Sequence, residues 1–537
     1  MPQEAVGERR GGLSKELVPV ALRLAMSTSA PKIASPRPPR RRSLASDAGL
    51  LAAGSLFTLV AQILALGVIA RIVAKDQVAV YQQLNLLYGI ISPLLLAGVP
   101  FGLLYFVSRA ASDEERRMWM SRGYVLLAAM GLTSAGAVIA LRHPIALLLN
   151  NPRLAPALVL YAPYLFFQFI AAATPPALVG AGRARSAALL NGCLGAFVFV
   201  ALVTVAIVHP TGQGFALALS ASSAALAAVS VVVVWRTIGI GWTNPRGRGA
   251  LRELLGFGLP LAVSGLAGMF AFQIDRIVVS ANFPPRDFAI YALGALEVPV
   301  GMLLSGAVTN VLVPELSTYW RNGDRAGMAA LWREAIRKTS LLLFPLFVFL
   351  MVTASDVIHV LYGAGYDKAI VIFRIYLFLI PLRIATWGLI PQSIGRSSVY
   401  LSASPIVILS NALIALTLVH PLGMTGPAIA APVSTLIAAL YFLLRTRLIT
   451  GIGFRELVPL RALGGTLVVA AAAAVPLLTL QTVSAPPVAR LALGLPLFSA
   501  IAVLLLRVTR RLRDDDWRRM VSVFGGLVAR VAALTID

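Results

Sequence analysis

The sequence predicts an all-α polytopic membrane protein with about 14 transmembrane helices, and two observations carry that prediction. Of the 537 residues, 58% are hydrophobic and only 13% are charged, with a mean hydropathy of +0.84. The hydrophobic residues also form repeated runs of roughly 20 residues, the length that a helix needs to cross a bilayer core. Because lipid offers the backbone no hydrogen-bond partner, we expect helices nearly throughout. This composition excludes a water-soluble protein.

The residues that precede the first apolar run are basic and rich in proline. Residues 36–42 read PRPPRRR, and residues 1–46 contain no apolar run long enough for a signal peptide core. We therefore expect residues 1–46 to be a disordered cytoplasmic tail. Its arginines could bind anionic lipid, but control of membrane topology is the simpler interpretation.

The apolar runs predict the membrane spans, taken in order along the chain. The spans are 47–70, 84–107, 123–141, 157–179, 187–208, 215–235, 256–281, 291–313, 340–361, 371–391, 399–419, 427–444, 463–480 and 491–506. Loops on the side of the N-terminus carry most of the loop arginines, for example Arg116, Arg117 and Arg122 after the second span. The positive-inside bias therefore places both termini in the cytoplasm. We expect the chain to lie in the cytoplasmic (inner) membrane. The same bias accounts for most of the formal charge of +24, so no nucleic-acid partner is needed.

Short sequence matches indicate that the chain contains two related halves. Residues 70–73 (ARIV) match 275–278 (DRIV), and His209-Pro210 matches His420-Pro421 after corresponding spans. Six spans in each half is an even number, so both halves enter the membrane in the same orientation. Such a parallel repeat predicts two six-helix lobes around a central cavity. The predicted organisation is a tail (1–46), an N-lobe (47–236), a C-lobe (251–447), two extra helices (461–508) and a cytoplasmic amphipathic helix (509–537).

Proline and glycine inside the spans predict bends and discontinuous helices. The sites are Gly98-Val99-Pro100, Thr174-Pro175-Pro176 and Leu379-Ile380-Pro381. Residues 324–338, between the eighth and ninth spans, predict a cytoplasmic surface helix.

Ionisable residues inside membrane-length segments are costly, so they indicate function. Asp275 and Arg276 interrupt the seventh span, Glu297 the eighth and Arg383 the tenth, while Arg71 ends the first. An arginine at this depth can also serve a structural ion pair. For Arg383 we keep open a pair with an acid such as Glu297.

An ordered set of short motifs resembles a known family over about residues 49–447. The set includes Gly98-Val99-Pro100, GFGLP at 256–260, Asp275-Arg276, VPELS at 313–317 and Leu361-Tyr362-Gly363. It resembles the polysaccharide (O-antigen type) flippases of the multidrug, oligosaccharidyl-lipid and polysaccharide exporter superfamily. The resemblance implies alternating access that moves a polyprenyl-diphosphate-linked glycan from the inner to the outer leaflet for surface polysaccharide biosynthesis. Membrane lipids and polysaccharide assembly proteins would be its other partners.

A diphosphate requires cationic groups, and arginine suits it because the guanidinium binds phosphate oxygens in pairs. We therefore predict that Arg276, Arg383 and Arg71 bind the diphosphate. The sequence contains no GxxxxGK[ST] motif for ATP, so an ion gradient is the expected energy source. Asp275 and Glu297 are the predicted ion-coupling residues.

The alternatives are also transporters, apart from one class. A lipid II or spore-cortex type flippase would share the chemistry, and a multidrug/cation antiporter would share the fold but bind cations that the arginines repel. A non-transport membrane protein or a polysaccharide polymerase is the remaining class, and the short external loops speak against a polymerase. The histidines and the single Cys193 have no metal-ligand spacing. We expect no metal site, no cofactor and no enzymatic activity.

Overall fold

The computed structural model describes residues 44–518 except 97, 242–248 and 397. The regular structure in this part is helical and contains no strand. The α-helices are α1 (Leu44–Ile72), α2 (Lys75–Leu96), α3 (Val99–Arg109), α4 (Asp113–Ala140), α5 (Arg142–Leu148), α6 (Leu154–Ala172), α7 (Thr174–Gly180), α8 (Ala184–Val208), α9 (Gly212–Thr237), α10 (Ala250–Asn282), α11 (Pro285–Gly294), α12 (Val300–Arg321), α13 (Arg325–Tyr362), α14 (Asp367–Leu377), α15 (Leu379–Leu382), α16 (Leu389–Ser393), α17 (Ser398–Leu422), α18 (Thr425–Thr450), α19 (Phe454–Leu457), α20 (Leu460–Ala473), α21 (Val475–Gln481) and α22 (Pro487–Val508). A short 3-10 helix (Ala364–Tyr366) precedes α14.

The all-α membrane fold is confirmed. Within the described residues, ten helical segments are long and apolar enough to cross a bilayer. The chain is therefore a multi-pass membrane protein, and the count of 14 spans stays a prediction. Three of the remaining predicted spans are divided between shorter helices: the second (α2 and α3), the eighth (α11 and α12) and the tenth (α14 to α16). The seventh predicted span lies within α10.

The predicted helix breaks occur where proline and glycine stand. Gly98 precedes α3 with φ +66°, and a Cβ on it would clash with the backbone of Gly258 on α10. Glycine is therefore required there both for its conformation and for close packing. Pro175 follows the break between α6 and α7, and the chain leaves helical conformation after Pro381. A further break between α11 and α12, before Pro299, was not predicted.

Each half of the chain packs mainly on itself, and α2 joins the two. In the first half, α6 packs on α4 and α9, and in the second, α17 packs on α18 and α10. Helix α2 contacts both α10 and α11 across the halves. A buried amide network supports this contact: Gln83 Nε2 donates to Ser280 Oγ at 2.8 Å and to Leu149 O at 2.9 Å, and Asn151 Nδ2 donates to Gln83 Oε1 at 2.6 Å. The lobe boundaries themselves stay predictions.

Helix α13 differs from its prediction, since the surface helix at 324–338 and the span at 340–361 form one continuous helix. The last two spans, α20–α21 and α22, pack against α13. The buried carboxylate of Asp356 accepts hydrogen bonds from Arg490 Nη2 at 2.5 Å and Gln481 Nε2 at 2.6 Å. The predicted tail (1–46) and the helix over 509–537 lie mostly outside the described residues, which include a helical start at 514–518.

Candidate functional site

Asp275 lies on α10 and is completely buried. Its Oδ2 accepts a hydrogen bond from the Tyr291 hydroxyl of α11 at 2.6 Å and another from the Tyr376 hydroxyl of α14. Its Oδ1 has no hydrogen-bond partner among the described residues. One carboxylate thus joins three helices of the second half, and the charge of the neighbouring Arg276 acts on it.

Arg276, the next residue, turns toward the break between α11 and α12. Its Nη2 donates to Ala295 O at 2.9 Å, a carbonyl at the end of α11. The last carbonyls of a helix lack partners within the helix, so a cation at this position is stabilised. Arg276 is half-buried and interacts electrostatically with Glu297 and with Tyr362.

Arg383 and Glu297 form an ion pair between two helix breaks. Arg383 ends α15, Glu297 lies between α11 and α12, and the Nη2 of Arg383 contacts Oε1 of Glu297. Their side chains are 19% and 25% exposed, so neither group is fully removed from solvent. Gly301 leaves room for the arginine, because a Cβ there would lie 3.3 Å from Arg383 Cδ. The structure thus contains the ion pair that the sequence left open for Arg383.

Arg71 lies apart from this cluster, at the end of α1. Its Nη2 donates to the carbonyl of Val360 and, at 3.5 Å, to that of His359, both on α13. Arg71 also lines a cavity of about 500 Å³ together with Lys75 and Tyr362. Tyr362 is the link to the cluster, since it also lies within electrostatic reach of Arg276.

The structure thus brings four of the five predicted site residues together and places Arg71 at a neighbouring cavity. Their roles in substrate binding and ion coupling stay predictions. Sequence reasoning missed Tyr291 and Tyr376 as partners of Asp275, because it could not show which helices are adjacent. It also missed Gln83 and Asn151, although amides in or beside an apolar run are a usable signal. No group of three or more possible metal ligands occurs among the described residues.

Comparison with known proteins gives one family and several structural relatives. A family model described as polysaccharide biosynthesis protein matches residues 68–371. The probable lipid II flippase MurJ of Rhizobium meliloti (strain 1021) is 28% identical over 233 residues, which are 41% of this chain and 43% of that protein. The match therefore spans less than half the length of that relative.

Two solved structures resemble the fold. A lipid II flippase MurJ in an inward closed conformation has a TM-score of 0.65 at 15% identity, covering 86% of this chain and 99% of that one. A multidrug resistance MATE family transporter of the MOP superfamily, in an inward-facing conformation, has a TM-score of 0.63 at 17% identity, covering 75% and 98%. At these identities the likeness concerns the fold alone.

Proposed function

We propose a function that starts from the family: the chain belongs to the polysaccharide biosynthesis protein family. It moves a lipid-linked saccharide precursor across the membrane. The narrower form of the proposal is a flippase for a polyprenyl-diphosphate-linked oligosaccharide. It acts by alternating access from the inner to the outer leaflet of the cytoplasmic membrane, with both termini in the cytoplasm. The fold supports a transporter, because the two solved structures described above are transporters.

The observation that carries the proposal is the Arg383–Glu297 pair between two helix breaks, with Arg276 beside it. Breaks in spanning helices supply polar groups at membrane depth, where transporters bind their substrates. A diphosphate carries more negative charge than one carboxylate and presents paired oxygens to a guanidinium. It therefore displaces Glu297 from Arg383 and binds Arg276 from the other side. Glu297 holds the arginine in place until the substrate arrives.

A double-mutant cycle separates substrate binding from a purely structural ion pair. The variants are Arg383→Ala, Glu297→Ala and the double variant, with the exposed Arg374→Ala of α14 as a matched control. We expect Arg383→Ala and the double variant to lose more than about tenfold in flipping of a fluorescent lipid-linked oligosaccharide, because a charge-assisted contact is lost in both. Glu297→Ala should keep more activity than either, and the control should resemble the wild type.

The assay uses proteoliposomes with protein content matched by immunoblot. A double variant that regains wild-type flipping contradicts the proposed role, since a structural pair becomes dispensable when both partners are removed. Arg383→Lys adds a second readout. Loss of flipping in this variant as well indicates a paired, guanidinium-specific contact.

Lipid II is the second candidate substrate, favoured by the 28% identical relative whose name gives that substrate. The two candidates share the diphosphate and differ in the saccharide. Expression in a strain depleted of its lipid II flippase distinguishes them: rescue of growth supports lipid II. Restoration of surface polysaccharide in a strain without its oligosaccharide flippase, with no rescue of growth in the other, supports the oligosaccharide.

A further inference from the structure

The cavity of about 500 Å³ lies between the α1–α2 connection and the α13–α14 connection, on the side that we predict to face outward. We call it the outer cavity, and its lining includes Arg71, Lys75, Arg286, Tyr362 and Tyr366. Its volume is within the range of roughly 300–1,000 Å³ that small-molecule sites occupy. Residues from the first and second halves of the chain form it together, so any movement of one half against the other changes it.

The lining of the outer cavity is strongly cationic. Arg71 and Lys75 come from the first half and Arg286 from the start of α11, and among the described residues Arg286 forms no ion pair. Asp76 is the carboxylate in the lining, and it already pairs with Arg153 at 3.2 Å. Three cations thus meet one carboxylate that is largely neutralised. An anionic ligand is the complement of such a surface.

Two tyrosine hydroxyls in the lining have no hydrogen-bond partner among the described residues. Tyr362 is 1% exposed and Tyr366 is 2% exposed, and the hydroxyl oxygens of both are buried. Buried polar atoms are almost always hydrogen-bonded, so these two hydroxyls keep an unused donor each, which reaches a ligand in the cavity only when the ring turns toward it. Burial raises the pKa of Tyr366 to about 12, so this hydroxyl keeps its proton and donates.

The cations keep unused donors while they join the two halves. Arg71 donates to the carbonyl of Val360, and Lys75 donates to that of Gly365 and lies 4.8 Å from the centre of the Tyr366 ring. An arginine has five N–H donors and a lysine three, so donors remain for a ligand. A ligand bound here would also compete for the donors that hold the halves together.

From these observations we propose that the outer cavity is an anion site for a phosphate or diphosphate group, contacted by Lys75, Arg286 and Arg71, and by the hydroxyls of Tyr362 and Tyr366 after their rings turn toward the anion. Two sources share this chemistry: the diphosphate of a lipid-linked saccharide after it has crossed the membrane, and free phosphate from the outer solution. Only the identity of the lipid source rests on the proposed function. Tyr362 lines the outer cavity and lies within electrostatic reach of Arg276, so the cavity neighbours the cluster of Arg276, Glu297 and Arg383.

The experiment measures binding to the purified full chain in detergent by isothermal titration calorimetry. Inorganic pyrophosphate and geranyl diphosphate are the probes, at fixed ionic strength. We expect Lys75→Gln/Arg286→Gln to weaken binding at least about tenfold, since charge-assisted contacts to both cations are lost. Arg142→Gln/Lys368→Gln removes the same charge outside the lining, at the partly exposed Arg142 and the exposed Lys368, and should stay within about twofold of wild type.

A second variant tests whether the weaker binding comes from unfolding of the protein. Tyr362→Phe/Tyr366→Phe should weaken pyrophosphate binding several-fold without lowering the melting temperature, because neither hydroxyl has a partner within the described protein to lose. Preference for geranyl diphosphate identifies the lipid as the source, and preference for pyrophosphate identifies the free anion. No binding of either probe, or equal binding in all variants, overturns the proposal. Wild-type protein that binds a probe but moves no lipid-linked saccharide across the membrane would refute the proposed function alone.

Discussion

At the scale of single residues, Asp275 has the least common environment. It is an ionisable group with no exposed surface, two phenol donors on one oxygen and no partner on the other among the described residues. The unpartnered oxygen is the place where this carboxylate could hold a proton, and the charge of Arg276 acts on the same group. Its role in ion coupling stays a prediction, and the geometry makes it testable.

We predict that Asp275→Asn uncouples transport from the driving ion. Asparagine has almost the same shape but cannot ionise, so flipping should continue down a substrate gradient while losing its response to imposed pH or sodium gradients. The measurement is the flipping rate in proteoliposomes with and without each gradient. Tyr376→Phe is the matched control, because it removes one donor and keeps the carboxylate, and it should retain the response. A gradient response that survives in Asp275→Asn would exclude this residue as the coupling group.

The sequence predicted the candidate site residues, but it predicted few of the residues that contact them. Asp275, Arg276, Glu297 and Arg383 could be identified from the sequence because a charged side chain inside the membrane has a high free-energy cost. The Arg383–Glu297 pair was one of the open interpretations, since two opposite charges at membrane depth stabilise each other. The partners of Asp275 could not be predicted, because tyrosines in apolar helices are common and only the packing of α10, α11 and α14 selects two of them.

At the scale of the elements, the breaks were predictable where proline or glycine forces them. Gly98, Pro175 and Pro381 each stand at a break, for steric reasons that hold in any fold. The break before Pro299 was missed although Gly294 and Pro299 flank it, because Glu297 was interpreted as a charge inside one continuous apolar span. That break nevertheless carries Glu297, so the tertiary contact with Arg383 gives it its significance.

The last spans are fastened to α13 by a buried carboxylate, which leads to a prediction on stability. Arg490→Gln leaves Asp356 buried with Gln481 as its remaining partner. We expect the free energy of unfolding to fall by about 3 kcal/mol, because an uncompensated buried charge is costly. Reversible denaturation in detergent measures the change, and the exposed Arg374→Gln serves as the control. Equal stability of both variants would mean that water already solvates the Asp356 carboxylate.

At the scale of the whole molecule, the contacts between the two halves, which we call the joint, were the part of the fold that the sequence predicted least. The repeat predicted that two related halves exist, and the family that matches residues 68–371 agrees with the class of protein. The contacts that join them, such as Gln83 to Ser280 and Lys75 to Gly365, bring together residues far apart in the chain. No local pattern contains that information.

If the halves rock during transport, fixing this joint should stop it. We predict that a thiol crosslinker with the span of a lysine side chain, placed between Lys75→Cys and Gly365→Cys, abolishes flipping. Cys193, which is exposed, is first replaced by alanine so that it does not react. Reduction with dithiothreitol after use of a cleavable crosslinker should restore the activity that the double-cysteine protein has before crosslinking. Full flipping in the crosslinked protein would show that this joint stays closed throughout the cycle.

Helix α13 has a mechanical consequence that follows from its length. Its 38 residues extend over about 57 Å, which exceeds even the roughly 45 Å of a bilayer with its headgroups. One end therefore projects into water, and there Arg337 binds Glu334 at 2.6 Å and Asp516 at 2.7 Å, the latter on the chain after the last span. The other end contacts Arg71 and borders the outer cavity. Because one continuous helix, with Pro345 inside it, connects the two membrane faces, a protein that binds the Asp516 segment and displaces this end of α13 would alter the outer cavity from the opposite side of the bilayer.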